Sequence, residues 1–346
     1  MPASSRSNGL GLKVDAMKKL FKIILLCSIV GVSASPAAEP TASTGSGQAW
    51  PTRPVRMLVP HAPGGTTDVI ARVIAARMTE ITGQQFIVDN RAGAGGNVGT
   101  GIAANAAPDG HTILVNSSAY GVNPGLYKSI PYDPLKSFIP ITNFAESPNL
   151  FSAHASVPAK TLPETLKLAN AEPKKYSFAT PGIGTTPHLA VELLKYSLKM
   201  DLGNIPYNGA GPSVTAHLAG QVLLACAALP TPAPHVKAGR LRGLAMASRK
   251  RHPSFPDVPT MAEAGYKDQE SETMQGLYLP AGTPQHIVKR FHSELTKIAQ
   301  MPEVRERVEG LGFQFVMNTP AEFMAQTKYE VEKWTRVVKN ANVQVQ

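Results

Sequence analysis

Two glycine-rich stretches have the residue types needed to hold an anion without a charged side chain. Pro63-Gly64-Gly65-Thr66-Thr67-Asp68 follows a short apolar run at 56–60, and Arg91-Ala92-Gly93-Ala94-Gly95-Gly96-Asn97 follows a second at 86–90, which ends in Asn90. Glycine has no Cβ and tolerates positive φ, so backbone at such turns can approach a ligand closely. Each stretch leads into a helical pattern, and the first N–H groups of a helix lack partners and point outward. Two such ends side by side form a cradle for a carboxylate or a phosphate. A third copy of the device is Thr180-Pro181-Gly182-Ile183-Gly184-Thr185-Thr186, after a run at 176–179. Ser117 and Ser118 end a further strand, and Tyr207 ends a short one at 204–207.

Two side chains near these loops have competing readings. Asp68 falls in the first turn of its helix, where a carboxylate complements the helix dipole. Alternatively it accepts a hydrogen bond from a ligand amine, amide or water, and so selects the part of the ligand away from the anion. His188, near the start of its helix, either lines the cleft or is a packed or capping histidine.

Other chemistries find little support. The run from Gly93 resembles a dinucleotide fingerprint, but Val98 stands where the third glycine belongs, and the next strand ends in Asn116 and Ser117, with no acid for a ribose. There is no G-x-x-x-x-G-K-[ST], G-x-S-x-G, H-E-x-x-H or C-x-x-C pattern. The histidines are scattered without metal-ligand spacing. No cofactor and no metal are expected.

The elements that position the loops follow from periodicity. The helix after the first loop, 66–81, puts Ile70, Ile74, Met78 and Ile81 on one face, with Thr66 or Thr67 as cap and Gly83 as stop. A short helix is expected at 97–106, a turn at Pro108-Asp109-Gly110 and a strand at 111–118. This alternation predicts a parallel sheet with helices on both faces, and ligands in such sheets sit beyond the carboxyl ends of the strands. Strands are expected at 138–144 and 149–153, with the chain crossing into a second lobe near Pro148. The second lobe contains a helix at 162–171, the strand leading to the third loop, a helix at 187–198, and short strands at 204–207, 220–227 and 242–247. Helices at 302–309, at 320–340 and from Pro284 onward return to the first lobe. Their expected buried faces are Ile287, Phe291, Leu295 and Ile298, and then Phe323, Val331, Trp334 and Val338.

Composition sets the outer limits. The basic run Met17–Lys22 followed by ten apolar residues, 23–32, is right for a signal-peptide core and too short to span a bilayer. We expect residues 1–38 to be a cleaved signal peptide with the true start at Met17, and 39–49 to be a flexible tether. Residues 1–38 carry five basic side chains and one acidic, so of the net charge of +10 about +6 remains afterwards. That favours anionic ligands. With 6% aromatics and no basic run interleaved with them, nucleic acid is not an expected partner. The cluster Arg249-Lys250-Arg251 reads as a solvated turn. Cys226 alone would survive cleavage. No internal disulfide is possible then, and its apolar setting makes it a buried small residue.

The first loop, with its preceding Val59-Pro60-His61-Ala62, is similar to that of the Bug family, the extracytoplasmic solute receptors of tripartite tricarboxylate transporters. The similarity continues through Asp89–Asn97, Pro108-Asp109-Gly110, Asn123-Pro124, Pro131–Pro134, His188-Leu189-Ala190 and Pro206-Tyr207, then Lys237–Arg242, Pro259-Thr260, Glu263-Ala264-Gly265 and Pro280–Pro284. It covers nearly everything after Trp50. The resemblance implies an α/β, two-lobed periplasmic-binding-protein fold of Venus-flytrap, type II-like form, each lobe a mainly parallel sheet flanked by helices. The lobes would be 50–147 plus 271–346, and 148–270. It implies that Pro63–Asp68 and Arg91–Asn97 hold a ligand carboxylate through backbone N–H groups and ordered water, with Thr180–Thr186 on the facing lobe. His61 and Met274 depart from the family pattern, where an aromatic residue and a Trp are usual.

Both lines lead to one expectation: a monomeric, non-enzymatic periplasmic receptor that captures a small carboxylate (aliphatic dicarboxylate, amino acid or aromatic acid) and delivers it to membrane transporter subunits. The alternatives are an adaptor that presents its closed form to a membrane sensor kinase, and a secreted α/β hydrolase.

Overall fold

The computed structural model describes residues 50–340 and Val343. The expected signal peptide and tether lie outside the described residues.

The chain enters at Trp50, whose indole N–H donates to Gly110 O at 3.0 Å and whose ring meets Phe86 and Phe291 edge-on. Strand β1 (Val55–Val59) is buried on both faces. Val55, Met57 and Val59 belong to one core and Leu58 to another, which is why its sequence is an apolar run rather than an alternation. Helix α1 (Thr66–Thr82) stops at Gly83, at φ +70°, with its N–H on Thr79 O. Neither Thr66 nor Thr67 caps it; Gly65 holds the N-cap position without a side-chain bond. Strand β2 (Phe86–Asn90), a 3-10 turn (Ala94–Gly96), helix α2 (Asn97–Ala104) and strand β3 (Thr112–Ser117) follow as expected.

Helix α3 (Ala119–Leu126) was not legible in the sequence, because Gly121, Pro124 and Gly125 argue against a helix. Packing overrides propensity there. A Cβ on Gly121 would lie 3.1 Å from Glu330 Cβ, and one on Gly125 would lie 2.6 Å from Thr335 Cα. Both contacts are with the last helix, here α10 once the elements between are counted.

Those elements begin with β4 (Phe138–His154), one strand of 17 residues where two were expected. Next come α4 (Leu162–Ala171), β5 (Phe178–Thr180), α5 (Thr186–Leu198), β6 (Asn204–Pro206), α6 (Ala210–Leu218) and β7 (Leu224–Ala228). Then follow α7 (Ala233–Lys237), β8 (Leu241–Met246), β9 (Glu272–Pro280), α8 (Gln285–Gln300), α9 (Pro302–Gly310), β10 (Gln314–Phe315) and α10 (Pro320–Asn340). The anticipated faces of α8 and α10 are inward, except that Val331 is only half-buried.

The strand order is β2-β1-β3-β9-β4-β7-β5-β6, with β8 and β10 also on β4. The sheet is mixed. β2, β1 and β3 are parallel, as are β6, β5 and β7, but β9 runs antiparallel to β3 and β4, and β7 and β8 run antiparallel to β4. The expectation of mainly parallel lobes therefore holds for the outer strands and fails at the centre. The reason is β9, which no local sequence signal announces. Nearly every residue of β9 is buried, so no alternation marks it, and Gln275 and Gly276 interrupt its apolar run. β4 pairs with β9 as far as Pro148 opposite Glu272, and with β7 from Asn149 onward. One strand thus serves two sheets. One core packs α1 and α8 against the first; another packs α4 and α5 against the second. Cys226 is buried in β7, and Arg249, Lys250 and Arg251 are exposed.

Candidate functional site

A cleft of about 750 Å³ lies where the two sheets meet. Five helix N-termini face it: α1, α2 with its 3-10 turn, and α3 from one side, and α5 and α6 from the other. Gly65, Thr66 and Thr67 line it, and among the described residues their backbone N–H groups have no acceptor; the same holds for Gly93 and Gly95 in the second loop. Opposite them, the N–H groups of Thr186, Ala210 and Gly211 are likewise unpaired. Among the described residues the lining holds no Lys, Arg, Asp or Glu. An anion here is met by peptide dipoles and neutral polar side chains, which suit a ligand charge without a neutralising partner.

Of the residues expected at the site, Pro63, Gly64, Gly65, Thr66, Thr67, Ala92, Gly93, Gly95, Gly96, Ser117, Ser118, Gly182, Thr185, Thr186 and Tyr207 line the cleft. The structure does not place the other eight on the lining, and each has another task. Asp68 is buried at 2% exposure. Its Oδ2 accepts from Gly64 N and Arg72 Nε at 2.9 Å each, and its Oδ1 accepts from Asn90 Nδ2 at 3.0 Å. Burial would raise its pKa, but these bonds and the Arg72 charge outweigh that and hold it below the usual range. Asp68 therefore shapes the first loop from behind, and Asn90 ties it to the second; buried and off the lining, it fits the structural one of the two readings the sequence left open. Arg91 pairs with Asp89 at 2.9 Å. Ala94 adopts φ +47° within the turn. Asn97 Oδ1 accepts from Asn123 Nδ2 at 2.8 Å. Thr180 Oγ1 donates to Asn204 Oδ1 at 2.8 Å. Gly184 makes room for Leu126, whose Cδ2 a Cβ there would overlap. The His188 ring is buried behind the α5 N-terminus, where burial lowers its pKa.

Sequence reasoning missed the loop from Asn208 to Pro212 that opens α6, and also Tyr127 and Thr273. The first had a signal: Asn208-Gly209-Ala210-Gly211-Pro212 after a short strand is a fourth copy of the same device. Thr273 had none, because it belongs to β9. Its hydroxyl donates to Asn149 Oδ1 at 3.0 Å and sits 2.6 Å from Thr186 Oγ1. The departure Met274 is buried in the core with Tyr120, Tyr278 and Phe323, away from the cleft.

The departure at His61 is on the lining. Its Nε2 lies 3.0 Å from Asn116 Oδ1 and 3.1 Å from Ser117 Oγ. The Ser–His contact resembles a nucleophile–base pair, but its polarity is wrong. Asn116 Oδ1 accepts from Ser117 N at 2.8 Å, and Asn116 Nδ2 donates to Thr100 Oγ1, which itself donates to Gly96 O. The amide orientation is thereby fixed. Nε2 must carry the proton that meets Oδ1, so it cannot take one from Ser117.

An α/β chain with one strand shared between two sheets, and helix N-termini turned into the cleft between them, is the architecture of a solute receptor. A profile of the tripartite tricarboxylate transporter family receptors matches residues 70–343. Protein BugT of Bordetella pertussis is 32% identical over 322 residues, covering 92% of this chain and 98% of that protein. The structure of Rpa4515 of R. palustris with adipate is 31% identical, with TM-score 0.79 over 85% of this chain and 99% of that one. MatC of Rhodopseudomonas palustris with bound malate is 32% identical, with TM-score 0.77 over 84% and 100%. The chain belongs to the tripartite tricarboxylate transporter receptor family, whose members include the Bug proteins. No helix among the described residues is long and apolar enough to cross a membrane.

Proposed function

We propose that this receptor captures a small carboxylate in the cleft and presents it to the membrane subunits of its transporter. The observation that carries the reading is the ring of unpaired N–H groups around a lining without charged side chains. The carboxylate sits against Gly65–Thr67 and Gly93–Gly95, and the N-termini of α5 and α6 close over its far end. The lobes are 50–147 plus 271–346, and 148–270, hinged where β4 and β9 cross. Closure excludes water, which strengthens the hydrogen bonds to the anion. Donors already aimed at the anion keep the ordering cost low. Capture is non-covalent and the protein acts as a monomer in the periplasm, after loss of residues 1–38. Two relatives of the same fold, named above with adipate and with malate, support the ligand class.

A thermal-shift screen of the chain from Glu39, against acids and their matched amides, tests this. A ligand at 100-fold over its dissociation constant stabilises the native state by about 2.7 kcal/mol. An acid that raises the melting temperature while its amide does not is the expected result. Equal shifts from acid and amide, or none from any acid after unfolding and refolding to remove carried-over ligand, overturn the reading.

A further inference from the structure

We propose that His61 takes up a proton at Nδ1 when the carboxylate binds, so that this receptor captures its ligand together with a proton. The inference rests on the carboxylate reading above.

The hydrogen-bond chain running from Gly96 O through Thr100 and Asn116 to His61 commits Nε2 as a donor. The neutral ring then has its lone pair on Nδ1. Among the described residues Nδ1 has no hydrogen-bond partner, and the half-buried His61 stands on the cleft lining. The ring lies beside the cradle: a Cβ on Gly96 would sit 3.2 Å from His61 Cε1, and Gly96 neighbours the unpaired N–H of Gly95.

The surroundings leave this ring alone able to respond. From β3 it meets Asn116 and Ser117, both neutral. From β2, Asn90 donates to the His61 carbonyl at 3.1 Å. On α1, Asp68 and Arg72 pair with each other, and beside β2, Asp89 is held by Arg56 and Arg91. Asp68 and Asp89 both stay below the usual carboxylate range, against the effect of burial, so neither titrates near neutrality. Tyr127 and Tyr207 are the other titratable side chains on the lining, and both are phenols. His188 is buried behind α5. Burial keeps the empty site's His61 neutral, although the Asn116 bond opposes it. A carboxylate arriving beside it favours the imidazolium, because an opposite charge at short range favours the charged form. Neutral peptide dipoles alone require no proton, so the histidine adds a pH dependence that the cradle lacks.

Calorimetric titration with malate, adipate and benzoate, in buffers of different ionisation enthalpy from about pH 6.5 to about pH 8, tests this window around the ordinary histidine range. Net uptake approaching one proton per ligand is expected, with affinity falling by up to about tenfold per pH unit as pH rises. His61→Asn keeps a donor for Asn116 but has no group to titrate; it should bind with no proton uptake and a flat pH profile. His61→Phe checks that the effect does not come from lost packing, and should also be flat. Wild-type binding without proton uptake, or uptake retained in His61→Asn, overturns the proposal while the carboxylate reading stands. If no acid binds, both fall.

Discussion

Asn90 Nδ2 donates to Asp68 Oδ1 at 3.0 Å and to the His61 main-chain oxygen at 3.1 Å. One amide thus joins the end of β2 to both sides of the first glycine loop. The two halves of the cradle come from different βα units, and this pair of a half-buried amide and a buried carboxylate ties them together.

Asp68→Asn should therefore weaken every ligand together rather than change the order of preference. Removing one partner of a buried, charge-assisted bond costs about 1–3 kcal/mol, read as a loss in chemical denaturation. A carboxyl whose pKa is depressed on folding contributes stability that is present above its unfolded value of 3.8 and is lost as pH falls through the folded value. The deficit of the variant should shrink in strong acid. A changed ligand order at unchanged stability would restore Asp68 as a selector.

The glycines of the cradle should not behave alike. Gly65 has φ −76°, and a Cβ there would meet only Ala62 O, at 3.6 Å. Gly65→Ala should fold normally and lose affinity only where the methyl group meets the ligand. Gly95 has φ +62°, so Gly95→Ala adds backbone strain of about 1 kcal/mol and displaces Tyr127, whose Oη a Cβ would meet at 2.7 Å. Gly99 lies deeper: a Cβ there meets the Arg91 carbonyl at 2.6 Å and Pro60 Cα at 2.9 Å. Gly99→Ala should be the most destabilising of the three, although Gly99 is absent from the lining. Melting temperatures of the apo variants, compared with titrations, separate these effects.

Glu272 sits at the crossing, on β9 opposite Pro148. Burial, then the neighbouring Glu146, push its pKa up to about 7, against the pull of Lys333 and Arg249. A carboxyl raised on folding stabilises the fold fully only below its unfolded value of 4.5, and that contribution is lost as pH rises through about 7. Glu272→Gln should raise stability near pH 8 by about 1–3 kcal/mol and change it little near pH 4, because a tenfold change in proton affinity on folding is worth about 1.4 kcal/mol. Denaturant midpoints at the two pH values decide this; an equal gain at both would mean that the charge at Glu272 is not the cause.

Trp334 on α10 packs with Val122 and Leu126 of α3 and with Leu189 of α5. Its indole N–H donates to Glu330 at 2.6 Å. Trp334→Ala should cost about 3–5 kcal/mol, the range for emptying a buried aromatic site, and should also reduce affinity, because α3 and α5 both present N-termini to the cleft. A variant that loses stability yet binds normally would show that α10 supports the fold without holding those two helices in place.

Much of this protein was legible from local chemistry. β2, α4 and α10 lie where periodicity and end signals place them, and the loops from Pro63, Gly93 and Thr180 announced themselves through glycines between a strand and a helix. These features depend on interactions within a few residues, which a linear sequence displays. What tertiary structure decided depends on partners far along the chain. β9 is central because both of its faces are covered by distant elements, which erases alternation. α3 is a helix because Gly121 and Gly125 fit against α10, more than 200 residues later. Asp68 became a support rather than a selector because Arg72, Gly64 and Asn90 converge on its oxygens. His61 became a feature of the site because β3 brings Asn116 beneath its ring, and only that contact determines which nitrogen carries the proton.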